Sequence, residues 1–268
     1  ASLQAQTVVS GTINQDSTWS LAGSPYIVQG LLTVANGSTL TIDSAVVVRF
    51  VQNAAMMIHG SLSARHALFT SSKDTAGGTP ARGDWAGIQV GDWSTSGSAL
   101  LDRCVVRYGG YQYENYDAAN LFLYHGSLTL TSCEIALSNN SGVMFGGGNG
   151  PSTLTLTNTN VTSCVWPLRY RSEADLQLNG TNTLTANVHD GILLGFGSIW
   201  GAMALPPSPI PFVTTGHLTV EESGSLTLAS GVVVKVSEGA QLNVRGRLSS
   251  IAACRPAPSA AAKNPPRT

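Results

Sequence analysis

Hydrophobic and polar residues alternate with a period of two over most of this chain. Between residues 25 and 64, apolar side chains such as those of Leu40 and Ile42 are separated by small or polar residues. Alternation of this kind indicates a β-strand with one buried face. Gly37 and Gly60 fall between the alternating runs, where turns are expected. No stretch has a sustained helical spacing, so the sequence predicts short strands joined by tight turns.

The same pattern occurs twice. Residues 25–64 align without a gap on residues 211–250, so that Leu40 matches Leu226. An internal repeat of this length is typical of architectures in which similar units stack on one another. Together with the short strands and tight turns, the repeat predicts an all-β fold, a parallel β-helix in which each coil stacks on the one before.

Further coils can be aligned between the two copies. Similar segments cover residues 99–109, 128–138, 154–164 and 176–186. One column of these segments is predicted to contain Cys104, Cys133, Thr159 and Thr181. A later strand of each coil aligns at residues 121–124, 143–146, 168–171 and 192–195. Because adjacent coils of a β-helix lie about 4.8 Å apart, aligned side chains should form ladders along the stack.

Composition narrows the classes of function. Only 11% of the 268 residues are charged, 29 are glycine, and the net charge is −1. This balance fits an extracellular β-solenoid better than a cytosolic enzyme. There is no basic stripe, so we expect no nucleic-acid partner. There is also no uninterrupted apolar run approaching the roughly 20 residues that span a bilayer, so we expect no membrane span.

The alternation stops near residue 250. We therefore predict one β-helix domain over residues 1–250, followed by an atypical Pro- and Ala-rich tail over residues 251–268. The tail is interpreted as truncated or non-native, and the alternative is a C-terminal cap that folds over the last coil. An exposed terminal coil would present strand edges, so end-to-end dimers are also expected.

Several segments resemble a known group of proteins. GLLTVANGSTLTIDSAVVVRF, GDWAGI, VVRYGG, LTLTSCEI and NGTNTLTANVHDGI are similar to the right-handed β-helix repeat proteins secreted by bacteria, and the resemblance covers residues 8–250. It implies a right-handed, single-stranded parallel β-helix of about ten coils on a pectate-lyase-like scaffold, located outside the bacterial cell or on its surface. That scaffold carries polysaccharide-processing enzymes and also non-catalytic surface proteins, so it does not fix an activity.

An aromatic loop is the first candidate for binding. Residues 107–120 hold four of the seven tyrosines of the chain, together with two acids. Aromatic rings stack on sugar faces, and arginine binds carboxylates in a bidentate manner, so the predicted partner is a polysaccharide or oligosaccharide, including an acidic one. The substrate-binding candidates are Arg107, Tyr111, Tyr113, Tyr124, His125, Arg169 and Arg171. The alternative is a solvated loop without a ligand.

Catalysis would need a pair of groups. Glycosidases use two carboxyl groups, roughly 5–5.5 Å apart for retention and 6.5–9.5 Å apart for inversion. The candidates are Asp102, Glu114, Asp117 and Glu134. A loop acid with Glu134 is the preferred pair, because Asp102 is three positions out of register with Glu134. A lyase would instead need a base such as Arg107, His125 or Arg171, and Ca²⁺ or arginine to neutralise a uronate.

Other motifs have a structural interpretation. The acid–tryptophan pairs at residues 84–85 and 92–93 lie in or near the GDW turn and are predicted to shape it. Cys104 and Cys133 align on adjacent coils, where a disulfide is geometrically allowed, but buried free thiols are preferred. No spacing suggests zinc, no Ca²⁺ loop of the EF-hand type is present, and no cofactor is expected.

Three hypotheses for function follow. The first is an extracellular carbohydrate-active enzyme, a glycoside hydrolase or polysaccharide lyase, that works in a cleft on the flank of the β-helix around residues 107–125 and 169–171. The second is a non-catalytic surface or adhesin-type module that binds glycan through the same loop. The third is a purely structural spacer. Substitution of the candidate carboxylates separates the first two.

Overall fold

The structure confirms that the chain forms a parallel β-solenoid of about ten coils. This computed structural model describes residues 6–111, 118–147, 150–171, 174–195 and 197–251. Apart from one short 3₁₀ turn, Leu21–Gly23, the regular elements of these residues are all β-strands. None of the described residues belongs to a helix that is long and apolar enough to cross a membrane.

The described residues form twenty-eight short strands. Strands β1 to β28 are, in chain order, Thr7–Ile13, Ser17–Trp19, Tyr26–Val34, Thr39–Ile42, Val47–Phe50, Ala55–Ile58, Ser61–Arg65, Leu68–Ser71, Gly87–Val90, Gly97–Asp102, Val105–Arg107, Ala119–Leu123, Gly126–Thr131, Glu134–Ala136, Ser141–Phe145, Ser152–Thr157, Asn160–Thr162, Trp166–Tyr170, Asp175–Asn179, Ile192–Leu194, Gly197–Ile199, Ala202–Leu205, Phe212–Thr214, His217–Val220, Ser225–Leu228, Val234–Val236, Gln241–Val244 and Arg247–Ser250.

Successive coils pair in parallel along three faces. The first face runs from β3 through β5, β8, β11 and β14 to β17. The second face runs from β3 through β6, β9, β12 and β15 to β18 and continues to β20, β23 and β26. The third face runs from β2 through β4, β7, β10, β13 and β16 to β19. Two three-stranded sheets, β21-β24-β27 and β22-β25-β28, complete the last coils.

The alternating apolar residues point inward and stack as columns. On the third face, one column passes in register through Leu40, Leu62, Ala99, Leu128, Leu154 and Leu176. None of these side chains is more than 3% exposed. Burial of a leucine side chain contributes roughly 1.5–3 kcal/mol, so a continuous column of this kind is a main source of stability for the stack.

The predicted alignment of the later strands is confirmed. On the second face Leu121, Val143, Leu168 and Ile192 are in register on successive coils. The predicted cysteine column is confirmed as far as Thr159, whose neighbour on the next coil is then Asn182 rather than Thr181. The strand register therefore differs from the prediction by one residue at this coil. On the first face the coil pairs with the preceding one only through a single bridge, between Asn160 and Thr183.

The GDW turn has the structural role expected for residues 84–85. The Trp85 ring is buried and stacks on Phe50 with centroids 4.0 Å apart, and its indole N–H donates to the Arg107 carbonyl at 2.9 Å. Asp84 accepts hydrogen bonds from Lys73, at 2.6 Å, and from Ser71, at 2.7 Å. Although burial works to raise the pKa of Asp84, these donors hold it below its usual value.

The described cysteines are free thiols, as expected. Cys104, Cys133 and Cys164 are buried and unbridged. Contact with Cys104, together with burial, raises the pKa of Cys133, and burial raises the pKa of Cys164 to about 11. The hydrogen bond with Cys133 lowers the pKa of Cys104. All three thiols are nevertheless shielded from solvent, so these residues act as small apolar side chains in the core.

Candidate functional site

A short motif recurs at the corner where the second face turns into the third. It reads His-Gly-Ser at residues 59–61, Ser-Gly-Ser at 96–98 and His-Gly-Ser at 125–127, on three successive coils. Gly97 and Gly126 are partners in the strand ladder, and a Cβ on Gly97 would overlap the Ile58 carbonyl. The glycines are therefore required by the close stacking of the corner, whereas the residues on either side of them are free to vary.

The corner opens into a groove of about 630 Å³ that crosses several coils. Its described lining is mostly hydroxyls and glycines, with two imidazoles. The main polar side chains are those of Ser61, Ser98, Ser127, Thr153, His59 and His125. The four hydroxyl residues are direct neighbours in register, one from each coil. Ser127 donates a hydrogen bond to the Ser98 hydroxyl at 3.1 Å, which leaves the Ser98 proton for another acceptor.

His59 is held by a carboxylate from the next coil. Its Nε2 lies 3.0 Å from Oδ2 of Asp92, although the angle departs from that of an aligned hydrogen bond. The other oxygen of Asp92 accepts from the backbone N–H groups of Ser94 and Thr95, at 2.9 and 2.6 Å. Burial works to raise the pKa of Asp92, but these N–H donors and His59 hold it below its usual value. Asp92 is therefore ionised at neutral pH.

His125 is the second imidazole of the groove. Its Nδ1 is buried and has no hydrogen-bond partner among the described residues. A buried polar nitrogen without a partner is costly, and such groups commonly mark a site where a ligand or water completes the bonding. Gly150 packs against the ring, because a Cβ at that position would overlap Nε2 of His125. The sequence thus makes room for this imidazole at the wall of the groove.

Among the sequence-predicted binding residues, His125 lines this groove, and three others lie in or at the ends of strands of the second face. Tyr124 directly precedes His125 and is tilted against Phe122, with ring centroids 5.0 Å apart. Arg171 lies two coils further on, and the Arg171 and Tyr124 side chains approach Gly147 from opposite coils. Arg169 is in register with Met144 on the second face. The structure therefore places Tyr124, His125 and Arg171 on one side of the solenoid, and their role in binding stays a prediction.

The other predicted residues have different surroundings. Arg107 forms a two-point contact with Oδ2 of Asp74, at 2.9 and 2.7 Å, and its guanidinium lies 5.5 Å from the Tyr108 ring centroid. Tyr111 donates its backbone N–H to the Trp85 carbonyl at 2.9 Å. Tyr113, Glu114 and Asp117 lie outside the described residues.

The two described carboxylates of the predicted catalytic set lie on different faces. Asp102 ends β10 on the third face and contacts Arg65 and Arg103, at 3.1 and 3.4 Å. Glu134 is an exposed residue that begins β14 on the first face. Asp102 pairs with Thr131, so its separation from Glu134 in register is the expected three positions. Their use as a catalytic pair stays a prediction.

Sequence reasoning missed His59 and the serines of the groove, and it assigned Asp92 only a structural role in a turn. The available signal is the recurring x-Gly-Ser motif, of which the alternating pattern assigns only Gly60, as a turn residue. Within the described part of the chain, there is no cluster of three or more His, Cys, Asp or Glu side chains that could hold a metal ion. The groove therefore offers hydroxyls, imidazoles and backbone groups as its chemical functions.

Comparison with known proteins gives no relative from which a function could be transferred. No protein-family model matches the chain, and no curated protein and no solved structure is significantly similar to it. The functional argument therefore depends on the geometry of the corner groove.

Proposed function

We propose that the protein is an extracellular glycan-binding β-solenoid that holds a polysaccharide or oligosaccharide along the corner groove. The observation that supports this most strongly is the row of hydroxyls, one from each coil, beside two imidazoles in an open groove of about 630 Å³. A linear glycan presents hydroxyls at regular intervals, and a groove parallel to the stack offers donors and acceptors at the coil spacing of about 4.8 Å.

The chemistry of the lining favours a neutral sugar over an acidic one. None of the described residues that line the groove is Lys, Arg, Asp or Glu. Carboxylate and sulfate ligands are usually bound by arginine or lysine. A glycan without such groups would bind through hydroxyls and imidazoles, and Tyr124 beside His125 provides an aromatic ring for stacking on a sugar face.

A glycan array followed by calorimetric titration of the best ligand tests this proposal. We expect His125→Ala and Ser127→Val each to weaken binding about tenfold, as for the loss of one to two hydrogen bonds. The matched control is Val188→Ala, since Val188 is 66% exposed on another part of the surface. Absence of glycan binding, or equal binding by all three variants, would contradict the proposal.

The predicted cleavage of glycosidic bonds is a second, separate hypothesis. It depends on Glu134 with Glu114 or Asp117, and it predicts that Glu134→Gln abolishes hydrolysis of a bound glycan while preserving its affinity. A wild-type protein that binds a glycan and leaves its glycosidic bonds intact would restrict the function to binding. If Ca²⁺ supports a lyase, EDTA should lower the rate.

The expected end-to-end pairing of two copies is also a proposal. Strands β26, β27 and β28 have a partner on only one edge among the described residues. Val244 and Leu248 of this coil are 42% and 47% exposed. Unpaired strand edges with apolar side chains favour association. Sedimentation equilibrium should detect a dimer that Leu248→Lys dissociates, and a monomer at all concentrations would exclude it.

A further inference from the structure

The contact between His59 and Asp92 has the form of a carboxylate-oriented imidazole. Nε2 is the buried ring nitrogen and faces Asp92, while 22% of the His59 side chain remains accessible at the groove. An ionised carboxylate at Nε2 favours the tautomer that carries its proton there, which leaves Nδ1 as the unprotonated nitrogen. An imidazole in this state can accept a proton from water.

We propose that the corner groove hydrolyses ester substituents of a bound neutral glycan, with His59 as the general base and Asp92 as its positioning residue. This inference rests on the proposed glycan binding and adds the class of bond that is broken, an O-acyl ester of a sugar hydroxyl.

The lining of the groove argues against the other reactions of polysaccharides. Glycosidic hydrolysis needs two carboxyl groups, and the described lining contains neither Asp nor Glu. Elimination from a uronate needs a cation to neutralise the sugar carboxylate, and the described lining contains neither Lys nor Arg. Transfer of an acyl group to water needs a base and donors for an oxyanion, and both are present here.

The attacking group in this scheme is water. No serine hydroxyl hydrogen-bonds to either imidazole within the described part of the chain, so the arrangement differs from that of a serine nucleophile activated by histidine. His59 removes a proton from water, and the resulting hydroxide forms a bond to the acyl carbon. The tetrahedral intermediate collapses with cleavage of the bond to the sugar oxygen, which takes the proton from the imidazolium. The products are a carboxylic acid and a free sugar hydroxyl.

Ser98 is placed to stabilise the oxyanion of the intermediate. Its backbone N–H donates to the carbonyl of Gly60, the residue after His59, at 2.9 Å. Ser98 accepts a hydrogen bond from Ser127, so its own hydroxyl proton is available to the groove. The strand ladder holds the Ser98 backbone on both sides, and donors on a rigid backbone need little reorganisation when charge develops.

The test measures acetate release from acetylated xylan, and binding of the same xylan after chemical removal of its acetyl groups. We expect wild-type protein to release acetate and His59→Gln to lower kcat at least about 100-fold, as for the loss of a general base. Asp92→Asn should lower kcat with little change in KM, and Asp92→Glu should restore part of the rate. The matched control is His217→Gln, which removes an exposed imidazole on another coil.

The two levels of the hypothesis fail in different ways. Binding of deacetylated xylan that survives in His59→Gln, with loss of acetate release, supports the inference. Binding without acetate release by the wild type would overturn the esterase and preserve the glycan-binding module. Equal acetate release by wild type and His59→Gln would also overturn it. Absence of binding to xylan and to every glycan of the array would contradict the proposed function itself.

Discussion

The two copies of the repeated block differ at the residues that form the groove. Residues 25–64 form β3 to β7 and residues 211–250 form β23 to β28, and the two series correspond except that the single strand β3 is divided into β23 and β24 in the second copy. At the corner, however, His59-Gly60-Ser61 in the first block corresponds to Arg245-Gly246-Arg247 in the second. The glycine that stacking requires is present in both copies, and the polar side chains around it are replaced. The scaffold and the groove are therefore specified by different positions of the same motif.

The copies also differ in whether a following coil buries their last strand. Leu62 and Leu248 occupy equivalent positions, yet they are 2% and 47% exposed. Leu62 is covered by β10 of the following coil, and β28 has no such neighbour among the described residues. By contrast, Leu40 and Leu226 are both buried, because a further coil lies beyond each of them. Burial in this fold is set by the neighbouring coils and not by the local sequence.

The largest expected difference in stability between the two copies is for substitution of the equivalent leucines, Leu62 and Leu248. Leu62→Ala should lower the free energy of unfolding of the monomer by about 3 kcal/mol, because it leaves a cavity in a closed column. At concentrations too low for the proposed end-to-end pairing, Leu248→Ala should lower it by less than about 1 kcal/mol. Urea denaturation of the two variants measures this directly. Equal losses would show that the last coil is covered in solution, for example by a second copy.

Alanine substitution of the equivalent glycines, Gly60 and Gly246, is expected to cause a smaller loss of stability that is equal in the two copies. A Cβ on Gly60 would overlap the carbonyls of Ala35 and Ser38, and a Cβ on Gly246 would overlap those of Glu221 and Gly224. Both clashes are with the preceding coil, which exists in each copy. Gly60→Ala and Gly246→Ala should therefore each cost about 2 kcal/mol in thermal or urea unfolding. A neutral Gly246→Ala would mean that the last corner is loosely stacked.

The hydrogen bonds that Asp84 accepts from Ser71 and Lys73 stabilise the coil that follows the first block, and their contribution to stability should depend on pH. The pKa of Asp84 is lowered in the folded state, so its contribution is present above the unfolded pKa and is lost as pH falls through the folded pKa. We expect Asp84→Asn to cost about 1 kcal/mol at pH 7 and less at about pH 3, below the usual pKa of an unfolded aspartate. Urea midpoints at the two pH values measure it, and a cost independent of pH would exclude the charge as its origin.

The smallest expected effect on stability comes from exchanging the corner residues between the blocks. Ser61→Arg, which copies Arg247, should change the free energy of unfolding by less than about 0.5 kcal/mol, as for other surface substitutions. It should nevertheless weaken glycan binding about tenfold, since a bulky cation replaces a hydroxyl in the groove. The matched substitution Arg247→Ser should leave binding unchanged. Equal affinities of the two variants would place the ligand elsewhere.

Sequence reasoning recovered the architecture because period-two alternation and the gapless repeat both reflect the stacking itself. It placed Leu121, Val143, Leu168 and Ile192 in one column, and the structure agrees. It did not find the contact between His59 and Asp92, because the coil that separates them includes a long loop and neither residue belongs to the alternating pattern. Residues at a corner become neighbours only once every coil length is known.

The row of hydroxyls has a consequence for how such a protein could change its preference for ligands. Ser61, Ser98 and Ser127 are each supplied by a different coil. Under the proposed function, the number of coils that retain the corner motif therefore sets the length of glycan that the groove can contact. Duplication of one coil would lengthen the row of hydroxyls by about 4.8 Å and would leave the existing contacts unchanged. On the next coil the corner reads Pro151-Ser152-Thr153, so the motif ends there while the solenoid continues through further coils.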